Sequence, residues 1–328
     1  MQTEQKTVKN ILVVRNDRFG EFLLNIPALR ALRENFPKAR IIAAVDPYVM
    51  GLAERVPFID QVIGWGTRGN GFFAKIGLIR VLQKIRPDIA VILNPSKELN
   101  LATFSAGIPV RVGYDRKWGF LLNRKIKDRK HLGEKHEVEY NLELVSLLGA
   151  ATEDSSLLIS IEDTLIDDLL KSFNISGQAG LVALHPWTSD PAKQWPQERF
   201  RELAGRLSGV DDLKLLIIGG REAKSESLQV YSSLAPGVVD LTGRTSLVQS
   251  AALLKRCRLL ISGDSGPVHL ACAVNTPVIA LFGGDIPAKA SKRWGPWGEG
   301  NCVIEKDRLS NITVEEVFYR VKEVLKRV

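Results

Sequence analysis

Short aliphatic runs recur along the chain, separated by amphipathic stretches. Residues 10–15 (NILVVR) form the first run, and a polar loop follows through Gly20. Phe22, Leu23, Ile26, Leu29 and Leu32 then fall at helical spacing over about 21–35, and Ile41–Val45 gives the next strand. The plan returns about 170 residues later. LVALHP at 181–186 reads as a strand, WTSDPAKQWP as a loop, about 197–208 as a helix and KLLIIGG at 214–220 as the following strand. Two such βαβ openings predict an α/β chain of two Rossmann-like lobes in tandem.

Further strands are expected at 89–93, 238–241, 258–262 and 277–281. Helices are expected near 72–85, 98–106, 137–148, 222–234 and 246–256. Strands alternating with helices favour parallel sheets covered on both faces. Acidic and small polar residues interrupt the pattern between 150 and 178, which predicts a first domain over 1–160 and a second over 161–328. The last helix should open on a capping box, Thr313 with Glu316, and bury Val317, Val321, Val324, Leu325 and Val328.

At 328 residues two domains are the natural expectation. Of the net charge of +8, the first 160 residues carry a surplus of seven, densest from Arg111 to Lys130. Such a cluster is either a solvated loop or a face for an anionic partner. Nucleic acid is the weaker choice, because Tyr114, Trp118 and Phe120 are the cluster's few aromatics. The polar N-terminus is not expected to be a signal peptide, and no apolar run approaches the ~20 residues that span a bilayer. The three cysteines, Cys257, Cys272 and Cys302, lack metal or disulfide spacing. A cytoplasmic protein is expected, with peripheral membrane contact as an option.

Candidate chemistry gathers in three loops. Gly263-Asp-Ser-Gly-Pro-Val-His269 follows a strand and opens a helix, where backbone N–H groups and the helix dipole favour phosphate. Ser265 is placed to cap this helix, Gly266 to allow close approach, Pro267 to start it and His269 to reach a ligand from its first turn. A plain capped helix with a core-facing His269 is the competing reading. The motif also mimics a serine protease nucleophile, but strand–helix alternation excludes the two β-barrels that such a fold needs. In the second loop, Thr188, Ser189 and Lys193 follow the strand ending at His185. Hydroxyls and a flexible cation there suit a diphosphate, whereas Trp195, Phe200 and Leu203 read as core. In the third loop, Glu21 starts the first helix beside Asp17. Glu21 is either a general base or a carboxylate at the positive end of a helix dipole, and Asp17 is a second candidate carboxylate that reads first as a loop hydrogen-bonder. P-loop and G-x-G-x-x-G motifs, Asp-x-Asp and metal-ligand spacings are absent from the sequence.

Taken together, VVRNDRFGEFLLNIPALRALRENFP, HPWTSDPAKQWP, DLTGRTSL and SGDSGPVHLACAVNTPVIALFG resemble, in order, glycosyltransferase family 9, the ADP-heptose:lipopolysaccharide heptosyltransferases. The resemblance implies a GT-B fold, two Rossmann-like domains with parallel sheets facing across a cleft. It also implies inverting, metal-independent transfer of heptose, or a related sugar, from an ADP-sugar to a hydroxyl of the lipopolysaccharide inner core. No metal and no cofactor are expected, since the ADP-sugar is the donor substrate and the lipopolysaccharide core or lipid A the acceptor. Thr188, Ser189, Lys193, Asp264, Ser265, Gly266 and His269 then look like donor contacts. Glu222 looks like the ribose contact, with Glu226 as rival, and Thr245 borders the adenine. Glu21 stands where the family usually has the Asp base. A GT-B-type nucleotide-sugar epimerase and a non-catalytic sugar-nucleotide binder are the alternatives.

Overall fold

The computed structural model describes residues 8–65, 72–175, 180–225, 231 and 237–326, with the side chains of 72–76 excepted. The chain divides into two compact units, Met1–Ser156 and Leu157–Val328. Ile159 donates its amide to the Ala273 carbonyl at 3.1 Å, so residues 157–160 join the second unit rather than the first.

The first unit holds six parallel strands: β1 (Asn10–Arg15), β2 (Arg40–Val45), β3 (Gln61–Gly64), β4 (Ile89–Ile92), β5 (Val110–Tyr114) and β6 (Arg124–Ile126). Their order, β3-β2-β1-β4-β5-β6, is that of a Rossmann sheet. The second unit repeats it with β7 (Gly180–His185), β8 (Leu213–Ile217), β9 (Val238–Asp240), β10 (Leu259–Gly263), β11 (Val278–Gly283) and β12 (Cys302–Lys306), ordered β12-β11-β10-β7-β8-β9. Central strands are buried on both faces, as β1, β2 and β10 illustrate, so their sequences are continuous aliphatic runs. In each sheet the order reverses beside the first strand, between β1 and β4 and between β7 and β10. Ligands of open α/β sheets bind at the carboxyl ends of the strands at such a reversal.

Several elements depart from the sequence pattern for physical reasons. The expected helix over 21–35 is two, Phe19–Leu23 and Ile26–Asn35, because Pro27 offers no amide to continue the first. The acidic stretch expected to separate the domains contains the helix Asp163–Ser172, which buries Ile166 and Leu169. The basic 111–130 region carries β5 and β6. β6 is an edge strand whose Arg124 and Lys125 face solvent, which discourages pairing with another chain. Thr313 caps the final helix, Val314–Leu325, by accepting from the Glu316 amide. The Glu316 carboxylate, however, pairs with Lys306 at 3.1 Å. Val317 and Val321 of the expected stripe are buried, whereas Val328, like Glu226 and most of the expected helix 222–234, lies outside the described residues. No helix among the described residues is long and apolar enough to cross a membrane.

Candidate active site

In the second unit, the reversal point brings the ends of β7 and β10 side by side, with His185 registered against Ser262. His185 Nδ1 lies 3.2 Å from Ser262 Oγ and 3.1 Å from Ser265 Oγ, and the two hydroxyls are 2.8 Å apart. Ser265 occupies the N-cap position of the helix Gly266–Ala273, but its side chain makes no capping bond. The expectation that it caps the helix is therefore corrected: the nearby imidazole and Ser262 hydroxyl take its oxygen instead. Pro267 does sit in the first turn. Pro267 carries no amide hydrogen and the Val268 amide donates to the Ser265 carbonyl at 3.1 Å, so the helix mouth offers an anion the Gly266 amide and the positive end of the dipole. His269, on the first turn of this helix, is buried at 4% exposure.

Burial pushes the His185 imidazole down to about 4, so it is neutral at physiological pH. The unfolded chain then takes up a proton at higher pH than the native one does. Stability is expected to fall by about 3 kcal/mol as pH drops from about 6.5 to about 4 through this residue. Urea titrations of wild type and His185→Asn across that range test it: the slope should flatten in the variant, and an unchanged slope refutes the assignment.

Lys193 follows β7 on a one-turn helix, Pro191–Lys193, and its ammonium meets the Asp264 carboxylate at 2.5 Å. Two loops 71 positions apart in sequence thus converge at the mouth of the Gly266–Ala273 helix. The loop is seated closely, since a Cβ on Gly263 would lie 3.3 Å from the Lys193 carbonyl oxygen. Gln194 and Gln197 both donate to the Pro186 carbonyl, at 2.8 and 2.9 Å, and close the loop's base. Thr188 is half-buried with Oγ1 accepting from the Asp190 amide at 3.3 Å, while Ser189 is exposed. Behind the loop, Trp195, Phe200 and Leu203 are core as expected, Trp195 donating Nε1–H to the Ile312 carbonyl at 3.0 Å.

A second group lies one and two strands away on the same edge. Glu222 is exposed on the turn Arg221–Ala223 after β8, and Thr245 Oγ1 pairs with Ser250 Oγ at 2.8 Å after β9. Gly243, at φ +70°, bonds its amide to the Gly219 carbonyl at 2.9 Å; a Cβ there would lie 3.1 Å from Arg221 Cα. This glycine draws the Glu222 and Thr245 loops together.

In the first unit, Arg15 ends β1 at the reversal point and is 4% exposed. Its guanidinium meets Asp17 at 2.8 Å and Glu137 at 3.4 Å, and pairs with Glu21 on the Phe19–Leu23 helix. Glu137, 1% exposed, also takes Lys130 at 2.5 Å, and the Lys130 ammonium lies 4.4 Å from the Tyr114 ring centre. Asn94, after β4, donates to Asn16 at 2.9 Å. Three carboxylates around one buried cation raise the Arg15 pKa against the opposing effect of burial. Burial pushes the Asp17 carboxyl up to about 6; Arg15 opposes this and the Glu21 carboxylate reinforces it. Asp17 is a loop hydrogen-bonder, accepting from Arg15 Nε, and it stands as a second carboxylate beside Glu21. Arg15, Glu137, Lys130, His185 and Ser262 escaped the motif reading. The one local signal was a charged or polar residue ending an otherwise aliphatic strand, as in Arg15 and His185.

Residues 77–317 match the model of glycosyltransferase family 9 (heptosyltransferase). The chain belongs to this family. The glycosyltransferase is 26% identical to lipopolysaccharide heptosyltransferase 2 of Escherichia coli over 294 residues, 84% of its own length and 83% of the relative's. The crystal structure of a family 9 glycosyl transferase from Veillonella parvula matches with a TM-score of 0.84 at 24% identity, covering 98% of each chain. The E. coli ADP-heptose LPS heptosyltransferase II structure matches equally well, with a TM-score of 0.84 at 22% identity, covering 97% of the enzyme and 99% of that chain. The α/β architecture of two Rossmann-like units is that of the GT-B heptosyltransferases.

Proposed function

We propose that the enzyme transfers heptose, or a closely related sugar, from an ADP-sugar to a hydroxyl of a lipopolysaccharide inner core, with inversion and without metal. The observation that carries this reading is the meeting of Lys193 with the 264–269 helix mouth at the sheet reversal, where a leaving diphosphate gains a cation and the Gly266 amide. The names of its relatives supply the sugar and acceptor. Glu222 and Thr245 are assigned to the nucleoside, and Thr188, Ser189, Asp264, Ser265, Gly266 and His269 to the phosphates and sugar.

In the proposed step, Glu21 takes the proton of the acceptor hydroxyl. The hydroxyl oxygen bonds to the anomeric carbon as the bond from that carbon to the β-phosphate oxygen breaks. ADP leaves with the electron pair, its charge met by Lys193 and the helix mouth.

The test is a transfer assay with ADP-heptose and core oligosaccharide. Expected are a product one heptose heavier, stoichiometric ADP, activity that persists in EDTA, and roughly 10²-fold slower turnover in Lys193→Met. Loss of activity in EDTA refutes the metal-independent reading. Conversion of the sugar nucleotide without acceptor favours an epimerase, and binding without either reaction favours a non-catalytic role.

A further inference from the structure

We propose that the helix Lys97–Ser105 and the loop between β5 and β6 form a docking surface for an anionic lipid bilayer, into which Trp118 and Phe120 insert. This rests on the reading above only in that a lipid-linked acceptor gives such a surface its use.

Apolar side chains that a lone domain would ordinarily cover are exposed here: Phe120 at 72%, Phe104 at 50%, Trp118 at 43% and Leu101 at 40%. They form one patch. Trp118 and Phe120 have ring centres 6.4 Å apart, and the Asn100 side chain of the helix donates to the Lys117 carbonyl at 3.0 Å. Cations are interleaved with the rings. Lys97 Nζ lies 6.0 Å from the Trp118 ring centre and the Arg111 guanidinium 5.3 Å from that of Phe104. Arg116 and Lys117 are exposed beside them.

Lys117 and Trp118 both adopt left-handed backbone conformations, φ +49° and +69°, which non-glycine residues rarely take. The turn thus holds an indole outward at a conformational cost that solvent exposure does not recover. Asp128 pairs with Arg116 at 3.1 Å and Asp115 with Lys125 at 3.0 Å, whereas Glu98 accepts from the neutral Ser96 hydroxyl at 2.8 Å and keeps its charge. With those pairs set aside, Lys97, Arg111 and Lys117 stand against Glu98, so the patch shows rings with an excess of positive charge, which complements anionic headgroups above an apolar layer. A protein partner's apolar face would leave this excess unanswered. The loop leaves the carboxyl end of β5, the sheet edge where Glu21 lies, so a bilayer held here would present its lipid-linked groups on the catalytic side of this unit.

The test is co-sedimentation of the full chain with vesicles of phosphatidylglycerol and phosphatidylcholine, or phosphatidylcholine alone, without nucleotide or acceptor. Binding is expected to the anionic vesicles, to weaken with salt, and to fall by about tenfold or more in Trp118→Ser/Phe120→Ser. Phe120→Ser alone, at a fully surface position, should fold normally and bind less. Transfer to a delipidated oligosaccharide should be unchanged in both. No binding to anionic vesicles, binding indifferent to these substitutions, or a wild-type dimer that they dissociate would each overturn the proposal. Vesicle binding without glycosyl transfer would instead defeat the proposed function and leave this surface standing.

Discussion

Replacing Glu21 by Gln is expected to lower turnover by about 10²–10⁴-fold while leaving affinity for the ADP-sugar nearly intact. The amide keeps the shape of the side chain and a partner for Arg15, but it cannot take a proton from the acceptor hydroxyl. Nucleotide affinity should hold because the residues assigned to the nucleotide all lie in the second unit. Transfer kinetics with saturating donor, together with calorimetric ADP titration, check both halves. Asp17 offers a sharper version of the test, since its carboxyl is pushed up to about 6 next to Glu21. If residual activity in Glu21→Gln is abolished by adding Asp17→Asn, the two carboxylates act on one proton. Turnover unchanged in Glu21→Gln refutes its role as base.

Removing the Arg15 cation should be the most damaging single change to the first unit. In Arg15→Met, Glu137 stays 1% exposed with the Lys130 ammonium as its remaining cation in this network, and Asp17 and Glu21 lose their shared counter-charge. Breaking a buried ionic network by removing one partner costs about 3–5 kcal/mol. Urea unfolding followed at pH 7 checks the magnitude. Arg15→Lys should recover part of the loss, because a point charge can answer one carboxylate but not a fork of three. A loss below ~1 kcal/mol in Arg15→Met would mean that the carboxylates find water or protons instead.

Most elements legible in the sequence are continuous aliphatic runs: β1, β2, β4, β7, β8, β10 and β11 lie inside their sheets and are largely buried. β3, β6 and β12 end their sheets and bury few side chains, as the exposed Arg124, Lys125, Val303 and Glu305 show, so no aliphatic run marks them. Position in the sheet is not the whole reason. β9 is also an edge strand, yet Val238 and Val239 show it, whereas the interior β5 is hidden because Arg111 and Gly113 interrupt its apolar residues and the Arg111–Lys130 region reads as charge. The site divides on similar grounds. Lys193, Asp264 and Ser265 were visible because each lies in a loop rich in glycine, proline and small polar residues directly after a strand. That Lys193 and Asp264 pair with one another was not visible, nor was the bond from Ser265 to His185, since tertiary proximity alone creates both. Glu137 reaches Arg15 across 122 positions of chain, and nothing at 137 marks it as other than the start of a helix.

The Lys193–Asp264 contact also shapes the thermodynamics of any anion that arrives. The ammonium already has an internal counter-ion, so an incoming phosphate displaces a resident carboxylate rather than filling a vacant electrostatic hole. Measured affinity is then the difference between two ion pairs, not the strength of one. On the proposed function, the carboxylate gives the cation a partner before a nucleotide binds and again after it leaves.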